Sequence, residues 1–517
     1  METKEAPGPV INTAAAATAS AHQAPARTSL RTVLVSLILR TVAYAIGLQT
    51  VSFFYAKALY DTYKGKVPSS NFWRRVETER SNIWTLNQEL WVEGIKGFYH
   101  AFEDVPVEER TVRMHYLTNC LASESSHPDT KQSKDLVILL HGWPDNSMVW
   151  RNVLEKLDNA SLTLIAPDIP GHGGSESLLD YSPASVLPVL FNFILSMRRQ
   201  HLVCSKQDNI TTPKLILVGH DWGAAIAARL ASECPELFDQ VVLTNGPIVA
   251  LALANVKQQL ALSYAHLQSW NMRQAWRTSR LCLSQIFLRS SYIWAFNLPR
   301  LLIQPLGTIG NMWFMRVVAR IASGQSDSEH ESVVRSLAEM LGPNESASET
   351  GVGRVYHYSV VRRARDQNAR FFESIRLYRE GLASGVWEQS RDIMRARAGI
   401  ATSQRTSSSL SSMTAETSTL ASAGPAGSLK VPLMMLWCVE DHALSQEICV
   451  DGIEDYLRED SVVVRFRGRN RRKIGHWTPI TAAEELARAV HWVADGKQGE
   501  LIQTLEADID VLDVLRK

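Results

Sequence analysis

Apolar residues in this chain gather in short unbroken runs, separated by longer stretches with helical spacing. Leu136–Leu140, Leu162–Ala166, Leu215–Val218, Gln240–Thr244, Lys430–Trp437 and Ser461–Phe466 read as strands buried on both faces. Thr111–Leu117 alternates instead and reads as an early strand. Val149–Leu157, Ser185–Val203 and Ala224–Ser232 read as helices, and another begins at Ala482 and closes the domain. Strands alternating with helices predict an α/β fold, a doubly wound and mostly parallel sheet. Functional residues are then expected at the carboxyl ends of the strands. His141, Asp168 and Asp221 fall there.

The rhythm breaks after Thr244-Asn-Gly-Pro247. Residues 248–400 are helical in character and rich in Trp, Leu and Arg, with a polar loop expected over 323–353. Residues 401–428 are dominated by Ser and Thr and read as a flexible insertion. The expected layout is a disordered tail (1–29), a hydrophobic anchor helix (30–60), a first core segment (61–247), the helical insertion (248–400), the flexible stretch (401–428) and a second core segment (429–517).

Residues 32–56 carry one charge, Arg40, and are long enough to span a bilayer. A spanning or embedded helix is the expectation. The alternatives are an interfacial helix or one packed on the catalytic domain. Lys57, Lys64, Lys66, Arg74 and Arg75 follow it, against Lys4, Arg27 and Arg31 before it. That bias favours a cytoplasmic catalytic domain on a membrane, expected to be the endoplasmic reticulum.

Composition narrows the classes further. Net charge is +1 over 517 residues with no long basic block, so nucleic acid is not an expected partner. Six scattered cysteines show neither metal spacing nor a disulfide framework. No phosphate-binding, dinucleotide-binding or zinc-protease motif is present, so no cofactor and no metal are expected.

Leu215–Val218 leads straight into Gly219-His220-Asp221-Trp222-Gly223 and then a small-residue helix. Strand, Gly-flanked turn and helix is the geometry of a nucleophile elbow. The central residue is Asp221 rather than Ser. A carboxylate attacks saturated carbon well, as in an epoxide or alkyl halide, and leaves an alkyl ester that water must cleave at the aspartyl carbonyl. The plainer alternative is an Asp that caps a helix.

His141-Gly142-Trp143-Pro144 after one strand, Pro167-Asp-Ile-Pro-Gly-His-Gly-Gly-Ser175 after the next and the Asp221 elbow after the third resemble the α/β-hydrolase fold, in its epoxide-hydrolase branch. The resemblance implies that 248–400 is a cap over the nucleophile. It implies an oxyanion hole from the backbone N–H groups of Trp143 and Trp222, and a structural role for the 167–175 turn. It implies two cap tyrosines that donate to the epoxide oxygen. Tyr292, in Ser-Tyr-Ile-Trp-Ala-Phe-Asn-Leu-Pro, and Tyr378, before Arg379, fit that pattern, with Tyr356 and Tyr358 in reserve. The triad acid falls on Asp441, with Glu440 as alternative and Cys438 where the family has Gly. The base falls on His476 in Gly-His-Trp. The implied activity is hydrolysis of a small lipophilic epoxide to a vicinal diol, with no cofactor. Dehalogenation on the same triad, or a silent membrane-tethered scaffold, are the rival readings.

Overall fold

The computed structural model describes residues 30–66, 83, 85–121, 134–157, 161–202, 213–324, 330–346, 356–408, 424–497, 501–505 and 509–517. The tail 1–29, and most of the Ser/Thr-rich stretch from 409 to 423, lie outside them.

Nine strands form one sheet in the order β1-β2-β4-β3-β5-β6-β7-β8-β9. They are β1 Tyr99–Val107, β2 Arg110–Thr118, β3 Asp135–Leu140, β4 Leu162–Pro167, β5 Leu215–His220, β6 Gln240–Thr244, β7 Leu433–Cys438, β8 Val462–Gly468 and β9 Ile509–Arg516. From β4 to β8 the pairing is parallel, and β1, β2 and β9 add antiparallel edges. The central strands β4, β5 and β7 are buried at every position, as unbroken apolar runs require when helices cover both faces. Helix α2, Pro183–His201, and helix α3, Trp222–Glu233, pack on this sheet. The chain does not close on the helix Ala483–Ala494: it goes on through a short helix, Leu501–Leu505, to β9, which pairs with β8.

Between β6 and β7 the described chain is helical. The helices used below are α4 Ser291–Phe296, α5 Ile309–Ser323, α6 His330–Met340, α7 Gln367–Ser374 and α8 Arg391–Ser408. Two expectations are corrected here. The supposed polar loop 323–353 contains α6, which buries Val333, Val334, Leu337 and Ala338. The Ser/Thr-rich insertion is helical at its start, because α8 runs on to Ser408.

The anchor reading is corrected too. Residues Leu30–Tyr63 form one helix, α1, but among the described residues no helix is long and apolar enough to cross a membrane. Arg40, Thr41, Gln49 and Thr50 dilute the apolar run. One stripe of α1 (Gly47, Val51, Ala58 and Asp61) is buried. It lies on the cap: Tyr55 donates to the Leu302 carbonyl at 3.3 Å, and Trp313 Nε1 donates to Asp61 at 2.9 Å.

Candidate active site

The elbow is built by close approach. Asp221 has φ 51° and ψ −118°, a conformation that strains any residue with a Cβ. Around it there is no room for side chains. A Cβ on Gly223 would lie 2.0 Å from the Leu140 carbonyl oxygen, and one on Gly219 would lie 2.7 Å from Ala224 Cα. The strand-to-helix turn is thereby pressed against the end of β3, and the Asp221 side chain is thrust out over the sheet. It makes no capping bond to α3. Its Oδ1 instead accepts the Trp143 backbone N–H at 2.8 Å, which disposes of the plain capping reading. The Trp222 N–H begins α3, in the first turn, whose amides have no acceptor within the helix.

The other carboxylate oxygen faces a histidine. Asp221 Oδ2 lies 3.4 Å from His476 Nε2, and His476 Nδ1 bonds Asp441 Oδ2 at 2.8 Å. All three side chains are buried. Burial works against a charged imidazole here, but Asp441 and then Asp221 outweigh it and hold His476 up at about 10. Burial likewise works against both carboxylates, and His476 pulls each below the usual range. With both acids ionised, the resting imidazole therefore carries a proton. Glu440, the alternative acid, instead accepts the Gly468 N–H at 3.3 Å.

Tyr292 and Tyr378 project from the cap into the same space. Their rings meet edge-on at 5.9 Å, and Trp143 stacks on Tyr292 at 6.1 Å. Trp222 meets Tyr378 edge-on at 5.0 Å from the other side. Burial, and then the nearby negative charge, keep both phenols well above their ordinary range, so they remain donors at neutral pH. The reserve tyrosines are elsewhere: Tyr356 packs edge-on to Phe102, and Tyr358 is 72% exposed. A cavity of about 860 Å³ brings together Trp143, Asp221, Tyr292, Tyr378 and His476. A second, of about 270 Å³, touches Asp221, Trp222 and both tyrosines from the far side.

Three supporting residues were not singled out from the sequence. Asn245, just past β6, donates to Asp441 Oδ2 at 2.8 Å and accepts the Cys438 N–H at 3.1 Å. Arg289 donates to the Asp441 carbonyl at 2.6 Å. Asp145 follows the His-Gly-Trp-Pro turn and accepts Trp477 Nε1 at 2.9 Å; burial, reinforced by the Asp221 charge, pushes it up to about 7. A charged residue inside an otherwise buried turn was the available signal for Asp145. For the other two there was none, because each supports a partner far off in sequence.

The parallel sheet, the elbow and the acid–histidine pair beyond a helical insertion define an α/β-hydrolase fold. The family model described as the alpha/beta hydrolase fold matches residues 135–277. In sequence the chain is similar to epoxide hydrolases. It is 33% identical over 135 residues to epoxide hydrolase srdG of Neurospora crassa, covering 26% of this chain and 35% of that protein. It is 26% identical over 194 residues to epoxide hydrolase 3 of Mus musculus, covering 38% and 41%. It is also 30% identical over 138 residues to a haloalkane dehalogenase of Psychrobacter cryohalolentis, covering 27% and 39%. The chain thus spans well under half the length of each of these relatives.

Proposed function

We propose that the protein hydrolyses lipophilic epoxides to vicinal diols through an aspartyl ester. Tyr292 and Tyr378 hold the epoxide oxygen and supply its proton as the ring opens. Asp221 attacks a ring carbon from the back, so that a carbon–oxygen bond forms to the carboxylate as the epoxide bond breaks. Ester formation removes the Asp221 charge that helps keep His476 protonated. The imidazole then gives its proton to the phenolate left by ring opening, which restores the tyrosine, and becomes the base that activates water, oriented by Asp441. Water attacks the Asp221 carbonyl, and the Trp143 and Trp222 amides take up the developing oxyanion. The observation that carries this reading is the placing of Asp221: one oxygen sits on the Trp143 amide and the other on His476, beside two protonated phenols.

Dehalogenation on the same triad is less well supported. Halide would need two indole N–H donors, but Trp143 Nε1 already donates to Ser374 Oγ at 3.1 Å. The scaffold reading gains from a blocked site, whereas the described residues leave a large cavity over the nucleophile. Turnover of paired epoxide and alkyl-halide panels decides between these. Diol from epoxides, lost in Asp221→Asn and in the Tyr292→Phe, Tyr378→Phe double variant, supports the proposal. Halide release without diol sinks it.

The membrane is proposed as a partner by contact rather than by spanning. Val42, Leu48, Phe53 and Leu59 lie exposed on the outward side of α1, and the Lys57 and Lys64 amines lie near the Tyr60 and Tyr63 rings. This is the composition of an interfacial helix. The endoplasmic reticulum, with the catalytic domain on the cytoplasmic side, is proposed as the location. Vesicle co-sedimentation tests the first proposal, and protease protection of isolated membranes tests the second.

A further inference from the structure

The inward side of α1 ends in the catalytic cavity. Phe54, one turn beyond Val51, lines the 860 Å³ space that also holds Asp221 and His476. Its ring packs on Phe314 of α5 at 5.0 Å, and Phe314 in turn meets Trp143 at 6.3 Å. Trp143 is the residue whose amide holds the nucleophile. Phe54 is therefore two ring contacts out from the reacting centre, on the wall rather than at the chemistry.

The helix that carries Phe54 is seated firmly. Gly47 of α1 lies against α4, the short helix bearing Tyr292: a Cβ there would sit 2.6 Å from the Trp294 carbonyl oxygen. One turn past Phe54, Ala58 is fully buried, and beyond it Asp61 takes bonds from both Lys57 and Trp313. The outward side of the same helix makes none of these contacts: Leu59 is 56% exposed. A helix whose position suggests a mere anchor thus contributes an aromatic side chain to the substrate space.

We infer that α1 is part of the substrate site, and that Phe54 is a specificity residue which grips the distal apolar substituent of a long epoxide. This rests on the epoxide-hydrolase reading. A small epoxide fits between Asp221 and the two tyrosines and does not reach Phe54. A long-chain epoxide extends past Trp143 and Phe314 and buries its far end against that ring.

The test compares a small terminal epoxide with a long-chain internal epoxide in wild type, Phe54→Ala, Phe54→Leu and the outward control Ser52→Ala, at an exposed position of the same helix. The expected result is a roughly tenfold rise in KM for the long substrate in Phe54→Ala. Phe54→Leu, which keeps α1 packed, shows a smaller rise. kcat and all constants for the small substrate stay put, and Ser52→Ala behaves as wild type. Equal effects on both substrates, or none on the long one, overturn the inference. Calorimetric binding of 1-decanol to the same four proteins separates the two levels. If no epoxide is opened yet decanol affinity falls about tenfold in Phe54→Ala alone, the wall stands and the activity reading fails. If decanol binds all four equally, the wall is refuted.

Discussion

On the proposed mechanism, replacing Asp441 with Asn should stop the reaction halfway, because of how its carboxylate is held. Asp441 Oδ1 accepts two backbone donors, the Ala443 N–H at 2.7 Å and the Leu444 N–H at 2.9 Å. Oδ2 accepts Asn245 Nδ2 and faces His476 Nδ1, each at 2.8 Å. An amide has one acceptor oxygen. Turned to satisfy the two backbone donors, it puts its NH₂ against the Asn245 amide and against His476 Nδ1. The imidazole then has to carry its proton on Nε2, toward Asp221, which is the wrong tautomer for a base. Losing tautomer and counter-charge together costs about 10⁴ in the step that needs the base, or about 5 kcal/mol at 1.36 kcal/mol per decade. Attack by Asp221 on the epoxide needs no base and should survive. Rapid-quench intact mass spectrometry of Asp441→Asn should show one substrate mass added per chain within the first turnover, followed by very slow diol release. A kcat within tenfold of wild type refutes the reasoning. So does a collapse in rate with no ester accumulating, which would place Asp441 in the alkylation step.

Other expectations follow from the same geometry. Tyr292→Phe and Tyr378→Phe should each slow ester formation about 100-fold with the fold intact, as loss of one preorganised donor does; unchanged rates in single-turnover alkylation would remove the phenols from the mechanism. His476 is held up at about 10 against an ordinary 6.5, so its pairing stabilises fully below about pH 6.5 and is lost as pH rises toward 10. The thermal midpoint should fall over that window in wild type and fall less in His476→Gln; identical profiles would contradict the pairing. Asp145, pushed up to about 7, should give the kcat profile a limb near that pH that Asp145→Asn abolishes without loss of the Trp477 contact. Gly223→Ala should cost at least about 3 kcal/mol in urea unfolding, because backbone rather than a movable side chain lies 2.0 Å away.

The sheet was legible where burial is complete. Leu136–Leu140 and Leu215–Val218 are apolar throughout because helices cover both faces, and the motifs at their ends mark the carboxyl edge. β1 and β9 escaped notice because edge strands are half wet: Ile509–Arg516 mixes two Asp residues with half-exposed aliphatics. Helix α6 hid for a similar reason, since its buried positions Val333, Val334, Leu337 and Ala338 form one short stripe in a polar stretch. Asp221 and Asp441 could be picked out because each closely follows a buried strand, and His476 because it sits between small and aromatic neighbours in the loop after β8. Asn245 and Arg289 could not, since their work is done on Asp441, more than 150 residues away in sequence. The N-terminal helix misled because a count of apolar residues is blind to direction: its inner stripe meets α4 and α5, and its outer side alone remains for a membrane.

The ester itself is the central claim, and oxygen exchange tests it most directly. A single turnover of a lipophilic epoxide in ¹⁸O water should leave heavy oxygen in the peptide containing Asp221, with diol formed in equal amount. In that turnover the water oxygen enters the carboxylate and the diol takes its oxygen from the enzyme. Diol that carries the heavy oxygen while the Asp221 peptide stays unlabelled would mean that water attacks the epoxide directly, and that Asp221 is not the nucleophile.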